Sequence, residues 1–176
     1  MKLFNILLII HVGLGTLSLL IGTYILTAKK GDKIHKKLGS IFSYSMLVAA
    51  FLALILSSIH QNTFLFIVGI FSIYLIGTGT RYISLKLQGN SAAKPKLLDW
   101  FLTISMLIAG ILFTYKGLLS VYNSNNFGIV LITFGLIGLS GVWQDIRYYK
   151  GLEKSKMHWL RIHIGRMTGG YIAAFS

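Results

Sequence analysis

The chain has 176 residues, 55% hydrophobic and only 12% charged, with a mean hydropathy of +0.72. A water-exposed domain of this length carries about 25% charged residues to coat its surface, so a soluble globule is excluded and an all-α, polytopic transmembrane bundle is expected. The net charge of +13 would suit nucleic acid, but the basic residues fall in short clusters between long apolar runs, as charge-directed membrane insertion requires. Zero cysteines exclude a disulfide framework, a thiolate metal site and a catalytic cysteine.

About 20 apolar residues cross the hydrocarbon core as a helix. The first such run, 3–28, far exceeds the apolar core of a cleavable signal and is expected to be retained. Further spans are expected at 41–59, 64–85, 97–119 and 127–149. A sixth begins near Trp159 and is still apolar at Ser176, the pattern of a truncated span. With one proline and no Ser/Gly-rich linker, residues 1–176 read as a single transmembrane helical domain.

The connections alternate in charge. Lys29, Lys30, Lys33, Lys36 and Lys37 occupy the first, none the second, and Arg81, Lys86, Lys94 and Lys96 flank the third. Arg147, Lys150, Lys154, Lys156, Arg161 and Arg166 surround the fifth, so all the basic residues but Lys2 and Lys116 share one side. The positive-inside rule makes that side cytoplasmic, with the N-terminus outside a bacterial inner membrane. Trp100, Tyr82, Tyr148, Tyr149 and Trp159 cluster at the inner helix ends, with Tyr115 and Tyr122 at an outer one, and are expected to be headgroup-level anchors.

Small residues mark the packing faces. His11, Gly15, Ser18 and Gly22 share a stripe of the first helix, Gly135, Gly138, Gly141 and Asp145 lie together on the fifth, and Gly165, Gly169 and Ala173 follow a small-xxx-small series on the sixth. Two of these stripes also carry an ionisable side chain, and such a group at membrane depth is read as functional when a partner can be named. His11 lies about 12 Å below the outer boundary at a rise of 1.5 Å per residue. It is either a neutral imidazole bonded to a carbonyl or hydroxyl, or a haem, metal or proton-carrying group beside a quinone-sized pocket. On the inner side stand His35, Asp145, His158 and His163, an acceptable ligand set for zinc or non-haem iron. His158 and His163 point about 140° apart on a regular helix. His163 is therefore the stronger ligand candidate, and His158 reads as interfacial. His35 and His163 suit the two axial positions of a haem b. Asp145 has a competing role as the ion-pair partner of Arg81. Asp99 is expected to favour its helix N-terminus, while Asp32, Glu153 and His60 read as solvated. The Gly-x-Ser-x-Gly and His-Glu-x-x-His signatures are both missing from the sequence.

The series His11-x3-Gly15, Gly22, Lys30-Gly31 and His35-Lys36-x2-Gly39, with Asp145-x-Arg147 and His163-x2-Arg166-Met167-x2-Gly170-Tyr171-Ile172-Ala173, resembles the bacterial predicted membrane proteins known as domain of unknown function 2306. That resemblance covers nearly the whole chain. It implies a membrane topology and marks His11, His35, Asp145 and His163, without implying an activity.

Two functions are expected from this pattern. In one, a cytoplasmic-side site binds haem b or a divalent metal for membrane redox chemistry. His11, His35 and His163 then bind the cofactor, Asp145 and His158 serve as metal ligands, and a quinone or a membrane protein is the partner. In the other, the chain is a non-enzymatic carrier or structural subunit, with His11 and Asp145 as buried packing groups. In both the surroundings are the lipid bilayer, and nucleic acid has no part.

Overall fold

A computed structural model describes residues 2–86, 94–153 and 155–175; Lys154 and Ser176, both used in the sequence reading, lie outside them. Among the described residues 84% are helical and no strand occurs. The six helices are α1 (Lys2–Thr27), α2 (Lys33–Ile59), α3 (Thr63–Ser84), α4 (Leu97–Tyr122), α5 (Phe127–Tyr149) and α6 (His158–Ala173). The first five are long and apolar enough to cross a membrane. Helix α2 starts well ahead of its apolar run because Asp32 caps it, its Oδ1 accepting the His35 N–H at 2.7 Å. Asp32 is thus a structural cap rather than a solvated charge.

The helices divide into two compact units, one of Met1–Thr80 with Ile164–Ser176 and one of Arg81–His163. In the first unit α1 and α2 form an antiparallel hairpin, turned at Gly31 with φ +83°. The α1 stripe meets α2 in order: His11 reaches Ala49 O, Ser18 reaches Ser45 and Gly22 lies against Phe42. Gly15 is the exception, since a Cβ there would meet nothing within 4 Å. Phe42, Met46 and Ile76 form one core cluster of this unit, with Ile21, Ile25, Met167 and Tyr171 packed around them. On α6 the packing glycines are Gly169 against Leu75 and Gly170 against Ile76, whereas Gly165 faces open space. Of the expected Gly165-Gly169-Ala173 seam, Gly169 and Ala173 pack inward and only Gly165 does not.

The second unit is built on the antiparallel pair α4 and α5, where glycines bring two backbones into contact. A Cβ on Gly128 would stand 2.5 Å from Gly117 O, and one on Gly117 would stand 2.8 Å from Gly128 O. Next along the seam Gly135 faces Thr114 and Gly110 O, and Gly138 faces Met106. Such close approach is how apolar helices associate in lipid, which offers no hydrophobic force between them. The α4 side chains Phe101, Ile104, Ile108 and Ile111 are exposed, leaving an apolar surface outside the seam.

These contacts separate two kinds of glycine. Gly128→Ala pushes against a carbonyl that cannot rotate away, and is expected to destabilise the detergent-solubilised protein by about 1–3 kcal/mol. Gly165→Ala has room and is expected to be neutral or to stabilise by up to about 1 kcal/mol through helix propensity. Thermal unfolding of the two variants side by side measures the difference.

Candidate functional site

The polar residues of the second unit converge on the last turn of α3, the first turn of α4 and the last turns of α5. Arg81, in the last turn of α3, forks onto the Asp99 carboxylate, Nε to Oδ1 at 2.6 Å and Nη2 to Oδ2 at 2.8 Å. Asp99 is at the third position of α4, and its Oδ2 also accepts the Lys96 backbone N–H at 2.7 Å, half of a capping box. A fully buried carboxylate thus receives a bidentate guanidinium and a main-chain donor, the geometry that offsets removal of a charge from water.

Tyr82, the residue after Arg81, sends its hydroxyl to Asp145 Oδ1 at 2.7 Å. Thr103, one turn beyond Asp99, donates to Asp99 O at 2.9 Å and to Asp145 Oδ2 at 3.2 Å, and lies 3.3 Å from the Tyr149 hydroxyl. Asp145, fully buried, is thereby engaged by α3 and α4 together. The Arg81 partner is Asp99, not Asp145 as the sequence suggested. Arg81 and Tyr82 stand on different faces of α3, and it is the tyrosine that reaches α5.

The tyrosines overturn a second expectation. Tyr82 and Tyr148 are fully buried and Tyr149 nearly so, in one cluster with Leu85 and Ile162. Tyr148 donates to Leu85 O at 2.7 Å and packs on Tyr82 with ring centroids 4.9 Å apart. Tyr149 meets Trp100 edge-on. They bind helix ends inside the protein, whereas Tyr115 and Tyr122 are exposed as headgroup anchors should be. The available signal was position: Tyr82 follows an arginine on a small-residue turn, and Tyr148 and Tyr149 follow Asp145 by three and four residues, on its own face.

Where α5 passes to α6, Glu153 accepts from Arg147 Nε at 3.0 Å and lies 3.5 Å from His158 Nδ1. His158 is buried and stacks on Tyr148 at 5.3 Å, so it is an internal residue and not an interfacial one. Glu153 is the acceptor of this loop rather than a solvated charge. Arg147 also lies over Trp143, and Lys86 over Trp159. His163 is half-buried on α6.

The first unit contains the remaining candidates. The half-buried His11 has its Nδ1 2.9 Å from Ala49 O, one of the two readings open to it. His35 is half-buried in the first turn of α2, its backbone N–H capped by Asp32. His60 is exposed and its ring lies against Phe4, at 4.1 Å between centroids. Sequence reasoning passed over Arg166 as a site in its own right. It is buried, donates to the Tyr74 hydroxyl at 3.1 Å and lies over that ring. Of the sequence candidates, His11 and His35 belong to the first unit and Asp145, His158 and His163 to the second. Among the described residues no three His, Cys, Asp or Glu side chains stand close enough to hold a metal ion together.

The engagement of each carboxylate makes unequal substitutions. Tyr82→Phe removes one donor from a buried acceptor and is expected to cost about 1–3 kcal/mol. Asp99→Ala leaves the Arg81 guanidinium without its fork and is expected to cost more than Asp99→Asn, which keeps one acceptor oxygen. Denaturation in mixed micelles ranks the three. Compared with known proteins, the chain matches no protein-family model, no curated protein and no solved structure.

Proposed function

We propose that the chain is a non-enzymatic multi-pass membrane protein, a carrier or structural subunit, in which His11 and Asp145 hold helices together. The observation that carries this reading is their engagement: His11 reaches a main-chain carbonyl of the neighbouring helix, and Asp145 receives hydroxyls from two others. A polar side chain used in this way adds directional contacts that leucine packing cannot supply in lipid.

A second reading, haem b or a divalent metal serving membrane redox chemistry, is favoured by one detail of His11. A carbonyl only accepts, so Nδ1 is the donor to Ala49 O, which leaves Nε2 as the nitrogen free to ligate iron, the orientation typical of a haem imidazole. In this reading His11, His35 and His163 are the imidazoles available to a haem, and Asp145 and His158 the further ligands of a divalent metal. The haem would supply one-electron chemistry, with a quinone or a membrane protein as redox partner.

An absorption spectrum with elemental analysis of the detergent-purified chain separates the two. The structural reading expects no Soret band, no stoichiometric metal, and a loss of about 1–3 kcal/mol in His11→Ala as Ala49 O loses its donor. A Soret band bleached by His11→Ala or His163→Ala overturns it in favour of haem.

Both readings take the chain to lie in a bacterial inner membrane with the N-terminus outside and the lysine-bearing connections cytoplasmic, the orientation that the positive-inside rule assigns. The lack of native cysteine allows a direct check. Asn125→Cys is expected to react with an impermeant maleimide in intact spheroplasts, and Lys29→Cys only after lysis. The reverse pattern overturns the orientation.

A further inference from the structure

The connection between α1 and α2 carries Lys29, Lys30, Lys33, Lys36 and Lys37 against a single carboxylate, Asp32. Two of these charges are already used inside the hairpin. Asp32 caps α2, and the Lys30 ammonium closes the end of α1 by donating to the carbonyls of Ile25, Leu26 and Ala28. Lys29, Lys33, Lys36 and Lys37 are exposed, and their ammonium groups make no hydrogen bond or ion pair among the described residues.

Lys33, Lys36 and Lys37 are related as i, i+3 and i+4, so they share one face of the first turns of α2. Lys29 stands across the Gly31 turn from them. Like charges at this spacing repel along a helix, and an anion between them reverses the sign of that interaction. The patch also lies where two helices able to cross a membrane meet their connection, beside exposed Tyr24, Leu26 and Ile34. A tyrosine with lysines at a span end belongs at the headgroup layer, where lipid phosphate is concentrated. Every basic residue here is a lysine, a flexible point charge that suits a mobile phosphate better than a planar, bidentate partner would.

We propose that this hairpin is a binding surface for anionic phospholipid headgroups of the surrounding bilayer, the phosphate being held by Lys33, Lys36 and Lys37 with Lys29 alongside. The assignment does not depend on whether the protein carries a cofactor.

The test uses the purified full chain in phosphatidylcholine vesicles with spin-labelled phosphatidylglycerol or spin-labelled phosphatidylcholine as probe. The protein-immobilised fraction is expected to favour phosphatidylglycerol by at least about fivefold, the factor one lysine near the surface supplies, and to lose that preference as salt rises. Combined Lys33→Gln, Lys36→Gln and Lys37→Gln is expected to bring the ratio close to one, while Lys150→Gln with Lys156→Gln keeps it. Should the triple variant fail to reconstitute, Lys33→Gln and Lys37→Gln singly are each expected to lower the ratio. Inorganic phosphate is expected to compete no better than chloride at equal ionic strength. No preference in the unsubstituted protein, an unchanged preference in the hairpin variants, or selective displacement by inorganic phosphate each overturns the proposal.

Discussion

A carboxylate with no access to water has to be met by donors, and Asp99 and Asp145 impose that demand on the second unit, where both are fully buried. An uncompensated charge in such a place costs several kcal/mol, more than most single contacts return. Each donor therefore fixes something. Arg81 and Tyr82 commit the end of α3, Lys96 and Thr103 the start of α4, and Asp145 carries the commitment to α5. The Tyr148 hydroxyl on Leu85 O extends the same logic to a main-chain carbonyl beyond the last turn of α3. Glycine contacts alone leave helices free to slide along their seam. Directional bonds at one end set the register.

The first unit meets the same problem with lighter means. Its polar contacts are mostly single hydroxyls or ring nitrogens, Ser18 to Ser45, Thr23 to Tyr171 and His11 to Ala49 O, spread along the length of α1. Each adds about half a kcal/mol in lipid, and together they mark a continuous line. Only Ser18 and Gly22 of α1 are buried, so nearly everything holding that helix lies on one stripe. Among the described residues of this unit the buried charge is Arg166, and it lies over the face of Tyr74 while donating to that residue's hydroxyl. An aromatic face and a hydroxyl on the same ring thus engage one guanidinium twice.

Hydropathy and charge made the helices legible because those two properties are summed over some twenty residues, and local accidents average out. The ends of α3, α4 and α5 in the structure fall within a few residues of the expected spans. Individual partners were harder to read. Arg81 with Asp145 was a reasonable pairing by depth, yet which of two adjacent residues faces α5 depends on the rotation of α3, and the apolar pattern of that helix does not fix it. The tyrosines failed for a related reason. A tyrosine at a span end suits the headgroup layer and a buried cluster equally well, and only a carboxylate within reach decides between them. Asp145 decided it for Tyr82, and Tyr148 followed by packing on that ring. His11 was different, because a lone imidazole in hydrocarbon has few ways to be satisfied, and a carbonyl of the next helix was one of the two that could be foreseen. The α6 glycines show the limit of spacing rules: Gly165 and Gly169 both fit the small-xxx-small pattern, but Gly165 meets nothing, and the closest approach falls on Gly170, beside Gly169.

The two carboxylates are not independent. Asp99 and Thr103 lie four residues apart on one face of α4, and the Thr103 hydroxyl has a single proton to divide between Asp99 O and Asp145 Oδ2. The longer bond, to Asp145 at 3.2 Å, is the weaker share while the carbonyl at 2.9 Å competes. If Arg81 no longer held Asp99, the first turn of α4 would loosen, the carbonyl would move, and the hydroxyl would be redistributed toward Asp145. A change at the ion pair must therefore alter the setting of Asp145 without touching it, and changes at the two sites cannot add. Coupling of that kind makes the ends of three helices hold or yield together.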